Sequence, residues 1–153
     1  MKPVTRRAAI VTLLGSTVGS SIALAQSGRA APSERMIMQI AIDVSGTRLT
    51  ASLFDNPSAR DFASMLPLDL ALEHYAANEK IGYLPRKLTT DGSGPFGGEA
   101  IGDIAYYAPW GNLAFFYGGY RYSRGLIRLG RLDGDIAPLL RDGRFTVRIE
   151  RLP

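Results

Sequence analysis

Residues 35–54 read RMIMQIAIDVSGTRLTASLF, and the fold is decided here. Met36, Met38, Ile40, Ile42 and Val44 fall on alternate positions, as do Leu49, Ala51 and Leu53. A period of two puts one apolar face on each of two strands, and Ser45-Gly46 between them is a tight-turn pair. The stretch predicts a β-hairpin. A second signal comes from the far end of the chain. Phe145, Val147 and Ile149 alternate with Arg144, Thr146, Arg148 and Glu150, giving one dry and one charged face. That pattern belongs to an antiparallel sheet half exposed to water.

Between these ends the elements are short. Asn56-Pro57 offers a helix cap with proline at the first helical position, and Ala59, Phe62, Ala63 and Leu66 follow at helical spacing up to Pro67. Leu68, Leu70 and Leu72 alternate as a strand running to His74 or Tyr75, and Ile81 to Leu84 reads as another, closed by Pro85. Residues 89–100 (TTDGSGPFGGEA) form a long glycine-rich loop without periodicity. Asp103 to Ala108 and Asn112 to Gly118 flank the turn Pro109-Trp110-Gly111; Leu126 to Leu132 is a further strand and Ile136 to Leu140 a helical turn. About eight strands with one real helix make a closed or nearly closed antiparallel barrel the economical architecture.

The first 25 residues read as an export signal. Lys2, Arg6 and Arg7 precede the apolar run Ala8 to Leu14, and Ala23-Leu24-Ala25 supplies an A-x-A cleavage site before Gln26. The pair Arg6-Arg7 after Thr5 resembles a twin-arginine signal; an ordinary secretory signal is the alternative. Gly15, Ser16, Thr17, Gly19, Ser20 and Ser21 argue against a membrane anchor. Residues 26–34 form a tether, 35–153 the folded domain, and the expected location is periplasmic or secreted.

Loss of the leader lowers the basic excess from 18 against 14 acidic residues to 15 against 14. Much of the isoelectric point near 9.6 therefore belongs to the leader. The arginines after residue 118 suit solvated strand faces, and no nucleic-acid partner is expected. The chain has no cysteine and one histidine, which excludes disulfides, thiol chemistry and His-His metal motifs. No metal or cofactor is expected. His74 reads either as a general base or as a structural histidine.

The densest chemistry lies in 102–125, GDIAYYAPWGNLAFFYGGYRYSRG. Tyr107, Trp110, Tyr117, Tyr120 and Tyr122 beside Arg124 suit a cleft that supplies apolar area and a few aimed donors. The same aromatics also suit the core of a small barrel. Arg86, held after Pro85 at a strand end, joins this candidate ligand site; the plainer reading is a solvated charge.

Four stretches in order resemble the bacterial and archaeal cyclophilin-like proteins: Asn56 to Phe62 (NPSARDF), Glu79 to Arg86 (EKIGYLPR), Gly102 to Asn112 (GDIAYYAPWGN) and Tyr122 to Ile127 (YSRGLI). The resemblance covers roughly 36–151 and implies a closed eight-stranded barrel with helical caps. True cyclophilins carry a Phe, Gln, Gly-Gly-Asp run after a catalytic arginine. Here Phe96-Gly97-Gly98-Glu99 follows Arg86 without the glutamine. The resulting expectation is an exported binding module for a small molecule or peptide. A diverged periplasmic peptidyl-prolyl isomerase, with Arg86 polarising the proline amide, is the alternative.

Overall fold

The computed structural model describes residues 35–153; the expected leader and the whole of the tether, residues 1–34, lie outside the described residues. Eight strands appear in chain order: β1 (Met36–Val44), β2 (Thr47–Phe54), β3 (Leu68–Tyr75), β4 (Glu79–Tyr83), β5 (Asp103–Tyr107), β6 (Asn112–Phe116), β7 (Leu126–Leu132) and β8 (Phe145–Arg151). The helix α1 (Pro57–Ser64) follows β2, and one 3-10 turn (Ala137–Leu140) precedes β8. The strands close into a barrel in the order β1-β2-β7-β5-β6-β4-β3-β8, with every neighbouring pair antiparallel.

Local chemistry sets each junction. Ser45 and Gly46 both take positive φ (51° and 87°), as a two-residue hairpin turn requires, and the Asp43 carboxylate accepts from the Gly46 amide at 2.9 Å. Asn56 caps α1, its Oδ1 accepting from the Ala59 amide at 2.8 Å, while its Nδ2 donates to the Arg128 carbonyl of β7 at 3.0 Å. The cap thereby ties the helix to the barrel wall. Ser58, Ala59, Phe62 and Ala63 form its buried face.

Ile40, Ile42, Leu53, Leu72, Ile104, Tyr106, Leu113, Phe115, Leu129, Val147 and Ile149 fill the barrel. Phe145 is only half buried, at the barrel end, where the Lys80 ammonium lies 5.0 Å from its ring. β4 begins at Glu79, two residues before the apolar pattern shows, because its ladder with β6 starts at Glu79 opposite Phe116.

One sector departs from the half-exposed sheet that β8 exemplifies. Every residue of β6 is buried, and β5 is buried until Tyr107. Leu113 and Phe115 face the barrel, whereas Ala105, Ala114, Phe116, Ile81 and Leu126 form a second apolar cluster on the outer wall, packed under Phe96, Tyr107, Tyr120 and Tyr122. The loops on either side of β5 and β6 therefore cover the outside of the barrel, and the aromatic run serves both faces.

Candidate functional site

The cover is held by a buried carboxylate. Asp103 opens β5 fully buried, and its oxygens accept from Arg131 Nε at 2.6 Å, the Tyr120 hydroxyl at 2.6 Å, the Ala100 amide at 3.0 Å and Arg128 Nη1 at 3.4 Å. Burial works against the charge, but these donors prevail and hold the carboxyl below its ordinary value. The Tyr120 phenol is pushed up by burial and by its bond to that carboxylate. Arg128 also donates to the Gly97 and Gly98 carbonyls at 3.0 and 2.9 Å, with the Phe96 ring 4.8 Å from its guanidinium. Glu99 accepts from the Tyr122 amide at 3.0 Å, joining the two loops.

Beside this clamp lies a groove of about 310 Å³. Its floor is the outer face of β4, β6 and β7 (Ile81, Phe116, Leu126), and its walls include Tyr75, Asn78, Glu79, Tyr107, Trp110, Asn112, Tyr120, Arg121 and Ser123. The volume is at the lower end of the range for small-molecule sites. Three rings share one wall: Trp110 meets Tyr75 edge-on at 5.1 Å and Tyr107 at 5.6 Å. Tyr120 stacks flat on Phe116 at 3.6 Å and closes the opposite side.

One polar atom of the groove residues is not satisfied by the fold. Asn112 is 2% exposed; its Nδ2 donates to the Leu113 carbonyl at 3.1 Å, and its Oδ1 has no hydrogen-bond partner. Such an acceptor costs roughly 1–3 kcal/mol. Burial also raises the pKa of Glu79, on the edge of the floor.

Of the residues expected to bind ligand, Tyr107, Trp110 and Tyr120 share this groove. The others lie elsewhere. Arg86 donates to Asp61 of α1 at 2.6 Å, to Ser64 at 3.1 Å and to the Lys87 carbonyl at 3.1 Å, fastening the helix to the chain beyond β4. Tyr117 turns its hydroxyl to His74 Nδ1 at 3.1 Å, which places the histidine in a side-chain contact away from the groove. Tyr122 packs on Phe96 and, with Arg124, lines a separate cleft along the glycine-rich loop. Tyr75, Glu79, Asn112 and Arg121 were not singled out from the sequence. Arg121 and Asn112 stand inside the aromatic run and Glu79 opens the EKIGYLPR stretch, but nothing local marks them or Tyr75 as groove residues, since only strand pairing brings them together.

Among the described residues no group of three or more His, Asp or Glu side chains could hold a metal ion, and no helix is long and apolar enough to cross a membrane. A closed eight-stranded antiparallel barrel with this strand order defines the class of protein. The Cyclophilin-like family matches residues 42–150, and the chain belongs to that family. The fold is also that of a hypothetical protein from Archaeoglobus fulgidus known from its solution structure. That protein is 19% identical with a TM-score of 0.52, over 78% of this chain and 98% of the other. No curated protein matches the chain.

Proposed function

We propose that this chain is an exported cyclophilin-like binding protein that holds a small molecule or peptide in the groove between Trp110 and Tyr120, without prolyl isomerase activity. The observation that carries the reading is Asn112: a buried amide oxygen without a partner, in the wall of a groove with an apolar floor and aromatic sides. Unpaired buried acceptors are rare in native folds, and an N–H or O–H brought to this oxygen by a ligand would remove the cost. The isomerase alternative asks Arg86 to polarise a proline amide, yet its guanidinium is engaged by Asp61, Ser64 and the Lys87 carbonyl, off the groove.

A thermal-shift screen of the processed protein tests the reading. A stabilising compound should lose about 2 kcal/mol or more of affinity with Trp110→Ala, while the variant's own melting point moves little, because Trp110 is 46% exposed. Unaltered affinity with a large loss of stability would return Trp110 to a structural role. In a protease-coupled proline assay the protein should show no turnover above the uncatalysed rate. Turnover that Arg86→Ala abolishes would establish the isomerase instead.

A further inference from the structure

The groove is chemically uneven. Tyr75 and Glu79 are opposite partners across β3 and β4, and Glu79 is opposite Phe116 of β6. Asn112 sits at the other end of β6, about 13 Å away along the strand. One end therefore has a carboxylate beside Tyr75, and Trp110 reaches Tyr75 with the ring planes at 89°. Tyr75 and Trp110 are 43% and 46% exposed, so neither ring is spent on the core. Perpendicular aromatic rings next to an acid favour a positive charge, which the negative ring faces attract.

The surrounding charges leave this end unanswered. Among the described residues no cation pairs with Glu79. The neighbouring Lys80 is turned to the opposite side of the strand, where its ammonium donates to the Arg141 carbonyl. Arg121, the cation on the groove wall, acts on Glu99 and helps to hold that carboxyl low. A half-buried carboxylate without a counter-charge is a cost to the fold that an arriving cation would offset.

We infer that the Glu79 end of the groove binds an organic cation, an ammonium or guanidinium group, with Glu79 as its counter-charge and Tyr75 and Trp110 as its aromatic wall. The inference rests on the groove being a binding site and adds the charge of what it takes. The raised pKa of Glu79 agrees with it, since a bound cation would return the group toward its ordinary range.

The test compares matched probes in amide and indole NMR spectra of the processed protein. Choline is set against 3,3-dimethylbutan-1-ol, which has its shape without its charge. An acetylated Ala-Lys-Ala amide is set against its norleucine counterpart. One charged probe should move the Trp110 indole and the Glu79 to Ile81 amides, and its neutral partner should bind at least about tenfold more weakly. A response to choline alone places the cation on a small molecule, and a response to the lysine peptide alone places it on a polypeptide. Glu79→Gln should weaken the responding probe by roughly tenfold while keeping a dispersed, folded spectrum. Equal response to charged and neutral partners would overturn the cation and leave the groove as a binding site. Silence from both charged probes, with a screening compound still seated in the groove, would also overturn it. A screening compound that maps elsewhere would overturn the groove itself.

Discussion

Two carboxylates on the outer wall titrate in opposite senses. Asp103 is buried but richly supplied with donors, and its pKa is held down. Its contribution to stability is full above the ordinary carboxylate value of 3.8 and is lost as pH falls toward its own lower value. Asp103→Asn leaves the buried Arg128 without its carboxylate and should cost about 3–5 kcal/mol in denaturant melts at pH 7; a loss below about 1 kcal/mol would show the clamp to be dispensable. Glu79 behaves the other way. Burial raises its pKa above 4.5, so its contribution is full below 4.5 and is lost as pH rises through the raised value. Glu79→Gln should therefore melt higher than the parent at pH 7, with the difference vanishing by about pH 4. A lower melting point at pH 7 would mean that the charge has a partner in the fold. Neither behaviour was legible in the sequence. Asp103 there is one acid at the start of a strand, and Arg128 and Arg131 reach it only because β7 lies against β5.

At the scale of the element, alternation was readable wherever one face is wet. The β1–β2 hairpin follows from apolar parity and turn chemistry, and β8 keeps the charged face that its sequence announces. Ile149 is wholly buried, while the exposed Arg148 pairs with Asp69 and Glu150 at the surface. Ile149→Ala should cost about 2–5 kcal/mol and Arg148→Ala under about 1 kcal/mol; comparable losses would mean that the parity is inverted. Close approach adds a constraint that parity does not convey. A Cβ on Gly130 would sit 2.3 Å from the Ser52 carbonyl oxygen across β2 and β7. Gly130→Ala should destabilise by about 1–3 kcal/mol, and an unchanged denaturation midpoint would show that the two strands can separate freely. Parity was least informative in β5 and β6, where loops bury the outer face as well. There the aromatic run could not be divided from sequence alone between core and groove, and Tyr106 in the barrel adjoins Tyr107 on the groove wall.

For the whole molecule, barrel closure leaves no free sheet edge among the described residues, which removes a template for edge-to-edge aggregation. The resemblance carried by NPSARDF, EKIGYLPR, GDIAYYAPWGN and YSRGLI extends over the folded domain, and family membership agrees with it. Strand order was not legible, because pairs such as β1 with β8 join opposite ends of the chain. Export is proposed from the leader alone. N-terminal sequencing of the secreted protein should begin at Gln26, and replacing Arg6 and Arg7 by lysine should block secretion if the twin-arginine route is used. An unprocessed Met1 species confined to the cytoplasm would contradict export.

The central claim is that the outer-wall groove, rather than the barrel interior or the clefts along the glycine-rich loop, receives the ligand. Trp110 is the chain's only tryptophan, so its indole signal is unambiguous in an NMR titration with the strongest compound from the thermal-shift screen. The account predicts that the largest shifts fall on Trp110, Asn112 and the amides of β4 and β6, and that Asn112→Ala weakens binding. Shifts confined to residues 91–96 and Tyr122, with Trp110 and Asn112 unmoved, would contradict it.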